Sequence, residues 1–373
     1  MDGVRVLTVN AGSSSLKLRV IGLDGAVVAT ADLPHQARGS VDGEISQFLT
    51  KVSPFDAVGH RVVHGGRDFQ APLVLDGQVE DALGALADLA PLHNPPAIEA
   101  VKVLRRLRPE LPQVACFDTA FHAGLPAEAA TYALPHEWNA RWGLRRFGFH
   151  GLSHAYASGR GAALMGRPPS ELRLVTAHLG SGASLAAVAG GSSVDTTMGF
   201  TPLEGLVMAT RAGDVDPGLV LWLLRRSGLS AAEIEEALET GSGLLGMSGV
   251  SADLRLVVGA ADAGDARAGL AYAVYLHRLR AGVAAMTAAM GGVDGVVFTG
   301  GAGESSWRLR RDACRGLSFL GLAIDDDLNE AASGDRTVSP AGASTSVMVV
   351  AAREDLEIAR QVREVLGQGS QVE

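Results

Sequence analysis

The chain has 373 residues, 47% of them apolar and 20% charged, which is enough apolar sequence for two domains with separate cores. Its net charge of −9 excludes a general electrostatic affinity for nucleic acid or an anionic membrane, so an anionic substrate would need locally placed cations. Two cysteines, Cys116 and Cys314, lack CxxC spacing, so no disulfide framework is expected and a reducing cytoplasm is. The first residues, with Asp2 and Arg5, lack the apolar core of a signal peptide, and the richest apolar run, Val283 to Met290, is too short to span a membrane.

In chain order, Val6 to Val20 reads as strand, turn, strand, with Leu16, Leu18 and Val20 alternating with Lys17 and Arg19. Its tip carries Asn10, Gly12, Ser13, Ser14, Ser15 and Lys17, a set of hydroxyls, amides and one cation suited to a polyphosphate with its magnesium ion; an ordinary serine-rich turn is the competing reading. Ala57 to Val63 reads as a strand containing Arg61. Val79 to Leu89 has helical spacing, Pro91 to Pro96 interrupts it, and a second helix is expected from about Ala97 to Leu107. Val114 to Phe117 is a short strand delivering Asp118 at its C-terminal end, where α/β enzymes place working residues.

Leu174 to Val188 repeats the opening pattern, with a His178-Leu179-Gly180-Ser181-Gly182 tip between apolar strands, and this points to two related halves. Met198 to Met208 reads as a loop, and Arg211 lies in a turn-rich stretch. Helices are expected at about Leu219 to Arg225, Ala231 to Glu239 and Leu270 to Met290, the last presenting Leu270, Val274, Leu279, Val283, Met286 and Met290 along one face. Val296 to Phe298 is a buried-type strand entering the glycine-rich turn Gly300 to Ser306. Ser346 to Val350 forms a further strand, and a helix runs from about Asp355 to Leu366.

Several signatures are absent or misplaced. There is no Walker A loop and no Gly-x-Ser-x-Gly elbow. Gly241 to Gly246 matches GxGxxG spacing but follows a helical run instead of a strand, so it reads as a loop. His60 and His64, like His150 and His154, are four residues apart; without HExxH or cysteine partners, protein-bound zinc is not expected. Three glycine-rich turns remain, Asn10 to Lys17, His178 to Ser184 and Gly300 to Ser306, each after an apolar strand. Together they suggest a nucleotide between two duplicated α/β domains.

The segments Thr8 to Lys17, Gly59 to Gly66, Pro91 to Pro96, Phe117 to His122, Phe147 to Gly151, His178 to Gly180, Met198 to Gly205 and Thr210-Arg211 resemble the acetate kinase family, collinearly and over essentially the whole chain. That family belongs to the superfamily of acetate and sugar kinases, actin and the heat-shock chaperones. The resemblance implies an α/β fold of two duplicated actin-like, ribonuclease H-like domains with a nucleotide cleft between them. Residues 1–120 would form the first domain, completed by a helix over 355–373, and 121–354 the second. It implies reversible phosphoryl transfer between ATP and acetate, Mg2+ (or Mn2+) as cofactor, acetate and ATP as small-molecule partners, and a homodimer.

By the same resemblance, Arg61, Asp118, His150 and Arg211 are the expected catalytic residues. Phosphate and nucleotide contacts are expected from Ser13, Ser15 and Lys17, from His178, Leu179, Gly180, Ser181 and Gly182, and from Gly300, Gly301, Ala302, Gly303 and Glu304. Val63, Leu92, Phe149 and Pro202, with Arg61 and His93, match the acyl pocket, while Asn10 and Glu354 match positions that organise metal and phosphate. For His93 and His178 a structural role remains open. Three departures stand out: Ser181 where asparagine is usual, Ala352-Arg353 where Thr-Asn is usual, and a slightly short chain. The alternatives are a propionate or butyrate kinase and an ATP-driven conformational switch of the same superfamily.

Overall fold

A computed structural model of the chain describes residues 3–12, 15–34, 41–87, 90 and 93–369. Among them, contacts divide the chain into two units. The first takes in residues up to Ala123, then Phe149–Tyr156 and the residues from Arg353; the second comprises Gly124–Gly148 and Ala157–Ala352. Phe149–Tyr156, in the stretch expected to belong to the second domain, thus clusters with the first.

The first unit is built on six strands, β1 (Val6–Ala11), β2 (Ser15–Ile21), β3 (Val27–Pro34), β4 (Ala57–Val62), β5 (Leu73–Val74) and β6 (Gln113–Phe117), ordered β3-β2-β1-β4-β6-β5. The near-continuous apolar runs of β1 and β6 form strands buried on both faces. Leu7 and Val9 pack with Ile45, Phe48, Ala100 and Leu104 from two helices, Val41–Leu49 and Asn94–Leu107. Val6 packs instead with Ile358, Ala359 and Val362 of the helix Glu354–Gly369. Each large side chain fully buried in this way contributes roughly 1.5–3 kcal/mol.

The second unit has β7 (Arg173–Leu179), β8 (Ala183–Ala189), β9 (Ser192–Thr196), β10 (Gly295–Thr299), β11 (Arg336–Thr337) and β12 (Ser346–Val349), ordered β11-β12-β10-β7-β8-β9. Taken from the third strand of each hairpin set, the two sheets follow one plan. An antiparallel meander (β3-β2-β1; β9-β8-β7) is continued by two parallel strands (β4, β6; β10, β12) and closed by an antiparallel edge (β5; β11). Even the irregularity recurs, between Val20 and Ile21 in one meander and between Ala187 and Val188 in the other. The duplication read from the two hairpins extends to whole sheets.

Several local expectations change. The helix expected to begin at Ala97 starts at Asn94, because Pro95 and Pro96 fall in its first turn, where a missing N–H costs nothing. The preceding helix is Gly77–Gly84, capped by Asp76; Leu89 lies outside the described residues. The long helix runs over Ala266–Ala289 and buries Ala271, Tyr272, Tyr275, Leu276, Leu279, Val283 and Met286, leaving Leu270 64% exposed. Two tyrosines and small alanines set its buried face, and a pattern built on large aliphatic residues alone misses them. Gly300–Ser305, expected as a turn, is a short helix, and the GxGxxG stretch expected as a loop opens another, Gly243–Ser248.

Candidate active site

In the first unit β1, β4 and β6 are parallel neighbours or share a register that places Asn10 opposite Arg61. Asp118 follows β6, its N–H donating to the Val62 carbonyl at 3.0 Å. Nε and Nη2 of Arg61 donate to Asp118 Oδ2 at 3.0 and 2.6 Å, and Nη1 donates to Asn10 Oδ1 at 3.0 Å. Among the described residues these are its acceptors, and each terminal nitrogen has a second N–H with which to meet a ligand. Burial alone would lower the Arg61 pKa; the Asp118 carboxylate, helped by Glu354, outweighs it and raises the pKa, so the guanidinium is a permanent cation of fixed orientation. Lys17 on β2 stands opposite Asn10 and is exposed, and Ser15 is half-buried at the start of the same strand. Ser13 lies outside the described residues.

The chain leaving β4 is pinned by Asn94, which accepts from the His64 N–H at 3.1 Å and donates to the His64 carbonyl at 3.0 Å. The Gly66 N–H donates to His64 Nδ1, so that nitrogen carries no proton. His60 turns to Gln113, 2.7 Å from its Oε1, and burial pushes its pKa down to about 4. The two histidines are thus occupied by different partners. No group of three or more His, Cys, Asp or Glu side chains that could hold a metal ion is found among the described residues. Val63 and Phe149 are buried, and the Phe149 ring meets His64 edge-on with centroids 5.2 Å apart. Leu92 lies outside the described residues; His93 is half-buried at the start of the helix Asn94–Leu107.

His150 is half-buried and is the one non-glycine residue with positive φ, 56°, among the described residues. The next N–H, of Gly151, donates to the Asp118 carbonyl at 2.9 Å. A Cβ at position 151 would stand 2.1 Å from that oxygen, so only glycine permits this contact. Glu354 opens its helix half-buried, while the unexpected Arg353 pairs with Asp355 through Nε and Nη2 at 2.9 and 3.0 Å.

In the second unit the β7–β8 tip closes through the Gly180 N–H donating to the Gly182 carbonyl at 2.9 Å, as Gly12 donates to the Ser15 carbonyl in the first hairpin. His178 is 9% exposed, opposite Ser184 on β8 and Thr299 on β10; Leu179 is fully buried, and Ser181 is exposed at the tip. Gly300 has φ 78°, and a Cβ there would come within 3.0 Å of the Leu179 backbone, so the glycine brings the helix Gly300–Ser305 against the tip. Gly301 and Ala302 on that helix face a cavity of about 540 Å³, also lined by Gly180, Ser181, Leu244, Leu254, Arg255 and Tyr275; Gly303 is buried below. Glu304 accepts from the Ala352 N–H at 3.0 Å, so its carboxylate braces the chain at one of the departures from the expected pattern. Arg211 is held by Glu239 (Nε to Oε2, 3.0 Å) and donates from Nη1 to the Pro202 carbonyl at 3.3 Å.

The acetokinase family matches this chain over residues 27–360. The chain belongs to that family. It is 46% identical to the acetate kinase of Thermosynechococcus vestitus, over 92% of this chain and 82% of that one. Among solved structures, the Porphyromonas gingivalis acetate kinase superposes with a TM-score of 0.90 at 36% identity, covering 98% of this chain and 100% of that chain. A Francisella tularensis propionate kinase gives 0.89 at 34%, covering 96% and 98%. The fold is therefore the duplicated actin-like architecture of the acetokinases, and the chain is a nucleotide-using kinase.

Reasoning from sequence missed the residues that hold this acetokinase's expected site residues in place. Asn94 and Thr119 fix the chain after β4, the latter accepting from the Gly65 N–H at 3.1 Å. Glu239 braces Arg211. Arg310, 1% exposed, donates to the carbonyls of Gly303 and Glu304 and so closes the C-terminal end of the Gly300–Ser305 helix. Leu244, Leu254 and Arg255 line the cavity. An asparagine directly after His93 was the available signal.

Proposed function

We propose that the protein transfers the γ-phosphoryl group of ATP reversibly to acetate, giving acetyl phosphate and ADP. The observation that carries this reading is the Arg61 fork, fixed by Asp118 and Asn10, with buried Val63 and Phe149 following in the same unit. A planar cation with a second N–H on each terminal nitrogen suits a carboxylate or phosphoryl edge, and an apolar wall suits a methyl group. Acetate, with a pKa of about 4 to 5, is already ionised at neutral pH, so its attack needs no general base. Reaction between two anions needs charge neutralisation, and we assign that to Arg61, Arg211 and His150, with Asp118 holding Arg61 in orientation. The cavity of about 540 Å³ in the second unit is large enough for a nucleoside and is lined by Gly180 and Ser181 of the glycine tip, by Gly301 and Ala302, and by the apolar Leu244, Leu254 and Tyr275.

The donors available for Mg2+ (or Mn2+) are oxygens, as a hard cation requires. They are the half-buried Glu354 carboxylate and the Asn10 side-chain oxygen, which keeps a lone pair after accepting from Arg61. So few protein ligands fit an ion held mainly by phosphates and water. When bound, the ion supplies neutralisation of phosphate charge.

A preference for propionate is the second reading, favoured by the likeness to the Francisella tularensis propionate kinase; one methylene in an apolar pocket is worth only about 1–3 kcal/mol. We further propose a homodimer, supported by the helix Pro217–Arg226, which buries none of its residues and exposes Leu219, Leu221, Trp222 and Leu224. A cytoplasmic location is supported by two free, buried cysteines; no described helix is long and apolar enough to cross a membrane. Hydroxylamine trapping of acyl phosphate from MgATP with acetate, propionate or butyrate tests the reading. Acetate should give the highest kcat/KM, and Arg211→Ala should abolish turnover. ATP hydrolysis without acyl phosphate from any acid would replace it with a nucleotide-driven switch.

A further inference from the structure

We propose that His122 is a positioning residue for His150: by donating from Nε2 to the Phe149 carbonyl, its ring fixes the peptide plane from which the His150 side chain departs. The inference rests on the reading of His150 as a residue that meets the transferring phosphoryl group.

His122 ends the turn Ala120–His122, four residues beyond Asp118, and is 0% exposed. Its Nε2 lies 3.1 Å from the Phe149 carbonyl oxygen. A carbonyl can only accept, so the proton is on Nε2. Burial pushes the ring's pKa down to about 4, which keeps it neutral at working pH. The edges of Phe121 and His154 meet the ring at centroid distances of 5.5 and 5.6 Å, which restricts its orientation.

The bond matters because the residue after Phe149 is held in an uncommon conformation. His150 has φ 56°, a left-handed geometry that a residue with a Cβ keeps only where its surroundings determine it. Two peptide planes flank its Cα. The plane on the C-terminal side is held by the Gly151 N–H donating to the Asp118 carbonyl at 2.9 Å. The one on the N-terminal side is held by His122. One short segment, Asp118 to His122, therefore orients Arg61 through a carboxylate and His150 through a carbonyl at one end and an imidazole at the other. Releasing the Phe149 carbonyl removes the hold of His122 on the N-terminal peptide plane, which lets the His150 imidazole depart from its set position. Displacement by about an ångström costs a fixed catalytic group up to about 100-fold in rate.

The test compares His122→Phe, which keeps a ring without the donor, with His122→Gln, whose amide N–H reaches as far as Nε2. His122→Phe should lower kcat by about 10- to 100-fold and leave KM for acetate and MgATP within about twofold, the split expected when positioning in the transition state is lost. His122→Gln should restore kcat to within about threefold of the wild type. Wild-type kcat in folded His122→Phe, or a glutamine variant as impaired as the phenylalanine one, overturns the proposal. The unsubstituted enzyme gives an independent check should the phenylalanine variant fail to fold. Ring 15N shifts of His122 should report the neutral Nε2–H tautomer throughout neutral pH, and a doubly protonated ring there overturns the proposal. His150→Ala separates the two levels: full activity in that variant overturns the reading of His150 itself, whereas an inactive His150→Ala beside a fully active His122→Phe overturns only the role of His122.

Discussion

Arg310→Met removes the cation that closes the glycine helix beside the proposed nucleotide cavity while keeping most of its volume. The guanidinium donates to four oxygens: Asn329 Oδ1 at 2.7 Å, the Gly303 carbonyl at 2.8 Å, the Glu304 carbonyl at 2.7 Å and the Asn329 carbonyl at 2.8 Å. Among the described residues no acidic side chain pairs with it, so burial lowers its pKa to about 10 and imposes on the folded state a desolvation penalty that methionine avoids. Against that saving stand the acceptors left without a donor, each worth about 1–3 kcal/mol when buried. Because those oxygens stay in place when the cation leaves, the acceptors dominate, and a net loss of about 3–5 kcal/mol is expected. Urea unfolding midpoints at equal m-value read the stability change, and calorimetric titration with MgADP reads the cavity. The variant should unfold at clearly lower urea and bind MgADP at least about 10-fold more weakly, since Gly301 and Ala302 lie on the helix it releases. A midpoint equal to or above wild type would refute the reasoning, because it would mean that the desolvation of a lone buried guanidinium outweighs four hydrogen bonds.

Three further outcomes are expected. Gly151→Ala places a Cβ 2.1 Å from the Asp118 carbonyl, and the forced shift separates the Asp118 segment from His150; kcat should fall by about 100-fold or more, measured by acyl hydroxamate formation. Glu239→Gln removes the charge that holds Arg211 at 3.0 Å; with both side chains partly exposed, stability should change by less than about 1 kcal/mol while kcat/KM drops by about 10-fold. The pH dependence of stability follows from His60 and His122, whose pKa values fall from 6.5 when unfolded to about 4 when folded. Between these values the unfolded chain binds more protons than the folded one, so stability is complete above pH 6.5 and is lost as pH falls toward 4. At pH 5 each ring should cost about 2 kcal/mol, and equal urea midpoints at pH 7 and pH 5 would exclude it.

The contrast between Arg61 and Arg310 shows what could be read in the sequence. Arg61 lies directly after His60 in a readable strand that ends in the His64-Gly65-Gly66 turn, so the sequence shows where it is presented and the family resemblance supplies its task. The same holds for both hairpin tips, whose alternation and glycines are short-range signals that survived into β1–β2 and β7–β8 with their duplicated topology. Arg310 and Glu239 carry no such mark. Each looks like an ordinary charged residue on an amphipathic helix, and only the fold shows that Arg310 turns inward to Asn329, nineteen residues on, and that Glu239 faces Arg211. The failed face of the long helix has the same origin, because Tyr272 and Tyr275 are buried by what packs over them, whereas Leu270 meets solvent.

That asymmetry is physical. A residue that meets a ligand must be presented on a tip or strand end, and presentation needs glycines, small side chains and abrupt turns close by in sequence. A residue that holds another in place needs only to arrive at the right spot in space, and any helix can deliver it. His122 stands between these cases: it lies in a motif segment, yet what it does depends on a carbonyl twenty-seven residues away. The side chains most informative to substitute are therefore those whose partners are distant in sequence, since loss of rate with intact substrate binding there reports orientation separately from contact.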